Sequence, residues 1–318
     1  MIKSILITGG AGFIGSHLAE RIFLEFRDSK IILYDKITYA ANKLYIQNLI
    51  KHKNVKFINN DLLNFNALEK NLQNVDLAIN VAAESHVDNS FGNSLIFTKT
   101  NTLGTHIFLE ACRKQKVNRI IHVSTDEVYG ENLGAPFTEK QFLNPTNPYS
   151  ASKAAADMIV NAYKKSYNMN ISSLRANNIY GTRQYPEKLI PKTIFCLLTK
   201  KKMPIHGDGN NYRHYLSVDD FCDGVIKIIE NGKLNEIYNI SSDRCYKVKD
   251  IVKIIAKNLN KDFKSNIKFV QDRPFNDKIY KINCTKLKKL KWKVKRNLIN
   301  DISIICDWYK SNINLFIK

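Results

Sequence analysis

The sequence lacks the features that mark membrane-spanning, secreted and zinc-binding proteins. No apolar run approaches the roughly 20 residues that a membrane span requires, and the N-terminal apolar run leads straight into a glycine loop, unlike a signal peptide. The six cysteines are scattered and include no Cys-x-x-Cys pair. We therefore expect no membrane contact, no metal site and a reducing compartment, the cytoplasm.

Acidic residues are also scarce, because 49 lysines and arginines outnumber 29 aspartates and glutamates and leave a net charge of +20. This charge has two interpretations. It forms a basic face for nucleic acid, or it is spread over the solvated surface of a protein whose ligand is a small anion. The lysines are mostly dispersed, although 278–296 is dense, and no nucleic-acid motif accompanies them. The second interpretation is favoured, and no nucleic-acid partner is expected.

Strand-like and helix-like segments alternate with short connections up to about residue 180, which predicts an α/β fold with a doubly wound parallel Rossmann sheet. Beyond that point turn signals cluster and strands become short. We assign 1–180 to a large domain and 181–318 mainly to a smaller C-terminal α/β lobe, with returns to the large domain near 213–240. The predicted strands are 2–7, 30–34, 54–59, 76–80, 118–124, 171–175 and 236–240, and the predicted helices are 13–26, 92–116, 150–167, 187–201 and 218–231.

A glycine-rich turn between the first predicted strand and helix indicates a dinucleotide site. Gly9, Gly12 and Gly15 allow a tight turn, close approach to a pyrophosphate and close helix–strand packing. The pyrophosphate would lie at the positive end of the following helix. Asp35 ends the next strand, where a carboxylate accepts hydrogen bonds from both ribose hydroxyls and repels a 2′-phosphate. NAD is therefore the expected cofactor, and Asp61 is either at its adenine edge or a solvated loop residue.

Acid–base residues follow the fifth predicted strand and open a helix. Thr125, Asp126 and Glu127 stand at the C-terminal end of the strand, which in such a sheet faces the ligand crevice. Tyr149 and Lys153 are spaced i, i+4, so they share one helix face. An ammonium near the phenol is expected to lower the tyrosine pKa from about 10 and give a general base for a sugar hydroxyl. The adjacent acid and base predict elimination of water as well as hydride transfer.

These motifs resemble those of the nucleotide-sugar 4,6-dehydratases, which are extended short-chain dehydrogenase/reductases. The resemblance covers essentially the whole chain, and its most specific part is the Thr-Asp-Glu triplet, since the related 4-epimerases lack this acid–base pair. The segments that carry it are the glycine loop, Asp35-Lys-Ile-Thr-Tyr, Ala82-Ala-Glu-Ser-His-Val-Asp88, Ser124-Thr-Asp-Glu-Val-Tyr-Gly130, Pro148-Tyr-Ser-Ala-Ser-Lys153 and Tyr185-Pro-Glu-Lys-Leu-Ile-Pro191.

The resemblance implies a role for each reacting residue. Tyr149, assisted by Lys153 and Thr125, would deprotonate the glucose C4 hydroxyl while the C4 hydride passes to NAD. Glu127 would then remove the C5 proton while Asp126 protonates the leaving C6 hydroxyl. Return of the hydride to C6 gives a 4-keto-6-deoxy sugar and recycles NAD.

The resemblance also implies which residues surround the two ligands, with NAD in the large domain and the nucleotide sugar under the C-terminal lobe. Arg213 and Arg273 suit phosphate because the planar guanidinium group of arginine can bind two phosphate oxygens at once. Each of the two could form a surface ion pair instead. The residues expected at NAD are Gly9, Gly12, Phe13, Ile14, Gly15, Asp35, Lys36, Thr38, Asp61, Leu62, Ala82, Ala83, Ser85, Tyr149 and Lys153. Those expected at the sugar nucleotide are Ser85, Thr125, Asn178, Lys188, Leu189, His206, Arg213, Asn239, Arg273 and Asn276.

Three stretches favour UDP-glucose over dTDP-glucose as the substrate, because they resemble the dehydratase modules of plant rhamnose synthases. The dTDP enzymes usually have Tyr in place of His206 and His in place of Asn276, and these two residues could supply a partner for the ribose 2′-hydroxyl of UDP. The expected function is the first step towards UDP-rhamnose, with dTDP-glucose as the alternative substrate. The stretches are Val87-Asp-Asn-Ser-Phe-Gly-Asn-Ser94, Pro204-Ile-His-Gly-Asp-Gly209 and Asp272-Arg-Pro-Phe-Asn-Asp277.

Other assignments stay open. An epimerase or decarboxylase could use the same scaffold, although Asp126 and Glu127 argue against epimerisation. A non-catalytic NAD-sensing or RNA-binding protein is a further alternative, which only the basic charge favours. Members of the resembled family usually dimerise through two helices each. The corresponding helices here are 92–116 and 150–167, so we expect a homodimer held by a four-helix bundle.

Overall fold

The computed structural model describes residues 2–317 and is built around a seven-stranded parallel sheet with the strand order β10-β6-β5-β4-β1-β2-β3. This order confirms the predicted doubly wound Rossmann sheet, in which the chain starts centrally and winds outwards in both directions. The strands are β1 Ser4–Thr8, β2 Lys30–Asp35, β3 Val55–Asn59, β4 Leu77–Asn80, β5 Arg119–Thr125, β6 Ile171–Ala176, β7 Asn178–Tyr180, β8 Met203–His206, β9 Tyr212–Ser217, β10 Ile237–Ile240, β11 Cys245–Lys247 and β12 Ile267–Val270.

Helices cover both faces of the sheet and form much of the C-terminal lobe. They are α1 Phe13–Glu25, α2 Phe65–Asn71, α3 Val87–Gly92, α4 Ser94–Phe97, α5 Gly104–Lys114, α6 Pro148–Tyr167, α7 Leu189–Leu198, α8 Val218–Asn231, α9 Val248–Asn258, α10 Phe263–Asn266, α11 Thr285–Lys288 and α12 Leu298–Asn312. None of the helices within residues 2–317 is long and apolar enough to cross a membrane.

The sheet separates two hydrophobic cores, and β1 contributes to both because its side chains alternate between faces. Ile5 and Ile7 pack in the core that also contains α1 and α8. Leu6 points to the other face and packs with residues of α5 and α6. All three side chains are fully buried, as expected of a parallel strand covered on both sides.

The C-terminal lobe contains two small sheets, β11-β9-β7 and β12-β8. Its core joins α7, α9 and α12. Two elements from this half of the chain lie with the large sheet instead. Strand β10 pairs in parallel with β6, and α8 shares the hydrophobic core of α1. The chain therefore passes more than once between the C-terminal lobe and the large sheet.

The helix predicted over 92–116 is present from Ser94 to Lys114, but it starts after a break at Asn93 and is not a regular α-helix throughout. Asn93 leaves the helical conformation with φ −146° and ends α3, and Thr98–Leu103 forms a wider π-helical turn between α4 and α5. The wide turn brings the buried Asn101 amide against the loop after β4. Its Oδ1 accepts from the Glu84 backbone N–H at 2.9 Å, and its Nδ2 donates to the Glu84 carbonyl at 2.9 Å. Such π-turns often occur at functional sites, and this one supports a wall of the cleft.

Candidate active site

The loop after β1 forms a cradle that only glycine permits at two positions. Gly9 has φ +68°, and a Cβ there would lie 2.8 Å from the backbone nitrogen of Ala82. A Cβ on Gly15 would lie only 1.9 Å from the Gly9 carbonyl oxygen, so α1 could not pack this closely against the loop. The first residues of α1, Phe13, Ile14 and Gly15, line the cleft. Because the first N–H groups of a helix have no intrahelical partner, this arrangement fits a pyrophosphate.

Asp35, at the end of β2, is tied to the same loop. Its Oδ2 accepts from the Ala11 N–H at 3.0 Å and its Oδ1 from the Ile37 N–H at 2.8 Å. Burial raises the pKa of Asp35, and these two backbone donors act in the opposite sense. Each carboxylate oxygen keeps a lone pair for a ligand hydroxyl. Beside it, the Lys36 ammonium lies 3.2 Å from the Asp61 carboxylate.

The structure brings all the residues predicted for the cofactor to one continuous cleft, which lies along the carboxyl ends of the parallel strands and extends under the C-terminal lobe. These cleft-lining residues are Gly9, Gly12, Phe13, Ile14, Gly15, Asp35, Lys36, Thr38, Asp61, Leu62, Ala82, Ala83, Ser85, Tyr149 and Lys153.

The reacting groups meet where β5 and α6 approach the cleft. Thr125 ends β5, Asp126 begins a short 3₁₀ turn, and the start of α6 is held by a capping box between Asn147 and Ser150 with Pro148 at the first helical position. This cap also reaches the site, since Asn147 Nδ2 donates to Glu127 Oε2 at 3.4 Å. The sequence therefore places these side chains through a strand end and a capped helix start that begins with proline.

Lys153 does not lower the pKa of Tyr149 as the sequence predicted. Burial, followed by the nearby Glu127 charge, raises the pKa of the Tyr149 phenol, while a hydrogen bond with Thr125 acts in the opposite sense. The Lys153 ammonium instead donates to the Val123 carbonyl at 2.7 Å. Burial lowers the pKa of Lys153 to about 8, and Asp157 opposes that fall. The Lys188 ammonium is a second cation here, 5.9 Å from the centre of the Tyr149 ring.

Asp126 and Glu127 have environments that suit an acid and a base. Asp126 is only 2 % exposed and lies just behind the cleft wall, where burial and the Glu127 charge raise its pKa to about 8. Asp126 is therefore mostly protonated at neutral pH. Glu127 lines the cleft; burial raises its pKa, and the Lys188 and Arg213 charges lower it. Two adjacent carboxyls with different surroundings can divide the roles of proton donor and acceptor.

The C-terminal lobe presents cations to the same cleft. Arg213 stacks on the Tyr280 ring at 5.3 Å and donates to Asn276 Oδ1 at 3.0 Å. Arg273 pairs with Asp88, with Nε 2.5 Å from Oδ1. Of the residues predicted at the sugar nucleotide, the lining ones are Ser85, Thr125, Asn178, Lys188, Leu189, His206, Arg213, Arg273 and Asn276.

The predicted contact between Asn239 and the substrate does not fit the position of this residue. It lies on β10 with no exposed surface and is not part of the cleft wall described above. Its Oδ1 accepts from the Tyr129 hydroxyl at 2.9 Å, and its Nδ2 donates to the Phe137 carbonyl at 3.1 Å. The parallel pairing of β10 with β6 turns this side chain into the interior.

Among the site residues that were not predicted from the sequence, Asn147 and Asn177 contact the acid–base pair directly. Asn147 could have been found, since an asparagine directly before proline is typical of a helix N-cap. Asn177 had no local signal, because it follows β6 and its importance depends on the neighbouring strand end. Its amide contacts Oδ2 of Asp126.

Known proteins share both the sequence and the fold. A trifunctional UDP-glucose 4,6-dehydratase/UDP-4-keto-6-deoxy-D-glucose 3,5-epimerase/UDP-4-keto-L-rhamnose-reductase of Arabidopsis thaliana is 43% identical over 98% of this chain and 47% of that protein. A dTDP-D-glucose 4,6-dehydratase of Dictyostelium discoideum is 41% identical over the whole chain and 84% of that protein. The crystal structure of DesIV, a dTDP-glucose 4,6-dehydratase from Streptomyces venezuelae with NAD bound, superposes with a TM-score of 0.95 at 33% identity, covering 98% of each chain.

The chain thus spans about half the length of the plant relatives and nearly the full length of DesIV. The GDP-mannose 4,6 dehydratase family model matches residues 6–303. These matches confirm the resemblance that the acid–base triplet and the glycine loop predicted, and the chain belongs to the GDP-mannose 4,6 dehydratase family.

Proposed function

We propose that this protein is an NAD-dependent dehydratase that converts UDP-glucose to UDP-4-keto-6-deoxyglucose, the first step towards UDP-rhamnose. The observation that carries the proposal is the Asp126–Glu127 carboxyl pair next to Tyr149, in which Asp126 is buried and Glu127 lines the cleft. Removal of hydride alone would use only the tyrosine and the lysine, whereas loss of water also uses a proton donor and a second proton acceptor.

The cleft supports NAD as the cofactor through the residues that would hold it. The backbone of the glycine loop and the N-terminus of α1 would bind the pyrophosphate, and Asp35 would accept from the ribose hydroxyls. The negative charge of Asp35 would also repel a 2′-phosphate. When bound, NAD supplies the acceptor for the C4 hydride and the donor that returns hydride to C6.

The chain's own residues then move protons. Tyr149 takes the proton of the C4 hydroxyl, and its hydrogen bond with Thr125 favours the phenolate that does so. The resulting ketone acidifies C5, from which Glu127 takes a proton. Asp126 gives its proton to the C6 hydroxyl, which leaves as water, and Glu127 returns its proton to C5. Tyr149 has gained one proton and Asp126 has lost one, so proton exchange restores the site.

The nucleotide is the finer part of the proposal. UDP-glucose is favoured by the three stretches that resemble plant rhamnose synthase modules and by the UDP-glucose 4,6-dehydratase activity that the Arabidopsis relative is named for. His206 and Asn276, the suggested partners of the ribose 2′-hydroxyl, already make hydrogen bonds within the protein. Asn276 bonds Arg213 and Asp272, while the His206 ring contacts the Gln271 carbonyl. Either would have to exchange a partner to bind a 2′-hydroxyl.

dTDP-glucose is the second candidate substrate, favoured by the Dictyostelium relative and by DesIV. Incubation with each sugar nucleotide, followed by mass spectrometry for loss of water, tests the activity and the preference together. We expect dehydration of both or of UDP-glucose alone, with the higher kcat/KM for UDP-glucose. A kcat/KM for dTDP-glucose that equals or exceeds it would overturn the nucleotide preference and leave the dehydratase standing.

We further propose a cytoplasmic homodimer that has no nucleic-acid or membrane partner. All six cysteines are free thiols, which supports a reducing compartment. Large apolar side chains are exposed on the two helical segments expected to form a four-helix bundle. Leu95 is 80 % exposed and Met158 is 61 % exposed, and burying both against a second copy would remove them from water.

A further inference from the structure

The side-chain amide of Asn177 contacts the carboxyl of the proposed acid, Asp126. Thr125 and Ala176 are paired in the register of β5 and β6, so the residues after them, Asp126 and Asn177, leave neighbouring strand ends side by side. The Asn177 backbone is also held, because its N–H donates to the Ile240 carbonyl at 3.1 Å. Asn177 is 4 % exposed and lines the cleft.

The contact leaves one atom of the amide unused. Asn177 Nδ2 donates to Asp126 Oδ2, and Thr125 Oγ1 donates to Asp126 Oδ1 at 3.3 Å. Asn177 Oδ1 is buried and has no hydrogen-bond partner within residues 2–317. A buried polar atom without a partner is costly, and native proteins usually give it a role.

A half-turn of the amide exchanges the positions of Nδ2 and Oδ1, so either atom can face Asp126. In one orientation the amide donates to an Asp126 carboxylate. In the other, its carbonyl oxygen accepts the proton of a neutral Asp126 carboxyl. The same side chain can therefore satisfy Asp126 before and after it gives up a proton.

We propose that Asn177 is a positioning residue that holds the Asp126 carboxyl as the acid for loss of the C6 hydroxyl and then stabilises the carboxylate left behind. This inference rests on the proposed dehydratase function. The carboxylate forms in a buried place next to Glu127, where a second negative charge is unfavourable. Arg213 is a cation that acts on Asp126 from the C-terminal lobe, and Tyr149 is a further titratable group next to Asp126.

Asn177→Leu tests the proposal, because leucine has a similar size and neither donates nor accepts a hydrogen bond. We expect the elimination step to slow by about 10- to 100-fold, the effect of losing one hydrogen bond to a charged group. Oxidation at C4 should keep its rate, so absorbance of the reduced nicotinamide should accumulate in a single turnover. Loss of the donor raises the pKa of Asp126, so the alkaline limb of the elimination rate should move to higher pH.

A matched control exists at the other end of the same strand. Asn170 directly precedes β6, and its amide donates to the Asn118 carbonyl at 3.2 Å. Asn170→Leu should leave both half-reactions and the pH profile unchanged. Asn177→Ser keeps a hydroxyl that can donate and accept, so it should recover part of the elimination rate.

An infrared pH titration of the holoenzyme measures the protonation of Asp126, and so tests its contact with Asn177 without catalysis. The C=O stretch of protonated Asp126, assigned by its loss in Asp126→Asn, should persist to higher pH in Asn177→Leu than in the wild type. An unmoved titration, or an equal slowing of both half-reactions, would overturn the role of Asn177. If the wild type releases no water from either sugar nucleotide, the dehydratase proposal fails instead. The infrared titration then still tests whether Asn177 stabilises the Asp126 carboxylate. If Asn177→Leu does not fold, Asn177→Ser carries the same comparison with smaller shifts.

Discussion

Replacing Asp126 by asparagine should stabilise the protein while it destroys elimination. In the folded protein burial and the Glu127 charge raise the pKa of Asp126 from 3.8 to about 8. The native state therefore binds a proton that the unfolded state releases, and the wild type loses stability as the pH rises from about 4 to about 8. Asparagine has nearly the same shape and does not titrate, so it avoids this loss.

The size of the effect follows from the two pKa values. Each pKa unit corresponds to about 1.4 kcal/mol, so Asp126 lowers the unfolding free energy by about 4 kcal/mol at pH 7 and by about 6 kcal/mol well above pH 8. These values are upper limits for the gain in Asp126→Asn, because its amide must also match the contacts with Thr125 and Asn177. Below about pH 4 the variant and the wild type should differ little.

Urea unfolding at a series of pH values measures this directly. The difference in unfolding free energy between Asp126→Asn and the wild type should grow by about 1.4 kcal/mol per pH unit between about pH 5 and pH 7. Asp28→Asn, at an exposed position, is the control and should stay within about 0.5 kcal/mol at every pH. A difference for Asp126→Asn that does not change with pH would refute the assignment of a raised pKa to this carboxyl.

Two further predictions concern the cofactor and the assembly. The purified protein should retain NAD, and Asp35→Ala should weaken that retention by about tenfold or more through lost hydrogen bonds to the ribose; recovery of stoichiometric NADP from denatured wild type would contradict this. The wild type should be a dimer by light scattering, and Leu95→Asp combined with Met158→Asp should shift it towards monomer because charges would enter an apolar contact. Leu133→Asp, at another exposed leucine, should not, and a monomeric wild type would rule out the four-helix bundle.

The parts of the site that lie on regular elements could be predicted from the sequence. The glycine loop lies between β1 and α1, and Tyr149 and Lys153 share one face of α6, so short spacing was enough to place these residues at the cleft. Asp35 could be located for the same reason, because the end of a parallel strand always faces the crevice.

The parts that depend on long-range pairing could not be predicted. Asn239 is buried because β10 joins the edge of the large sheet next to β6, and local sequence carries no record of that neighbour. Asn177 contacts Asp126 only through the β5–β6 register. The effect of Lys153 on Tyr149 was also misjudged, since helical spacing shows that two side chains share a face and not where each polar atom finds its partner.

Single-turnover absorbance of the reduced nicotinamide, measured with UDP-glucose and with dTDP-glucose, tests the central claim most directly. In Glu127→Gln the base for the C5 proton is lost while oxidation at C4 remains, so the absorbance should rise and persist, and no water-loss product should form. In Tyr149→Phe the first proton cannot be removed, so no absorbance should develop. Normal turnover by Glu127→Gln would contradict the assignment of acid–base elimination to the Asp126–Glu127 pair.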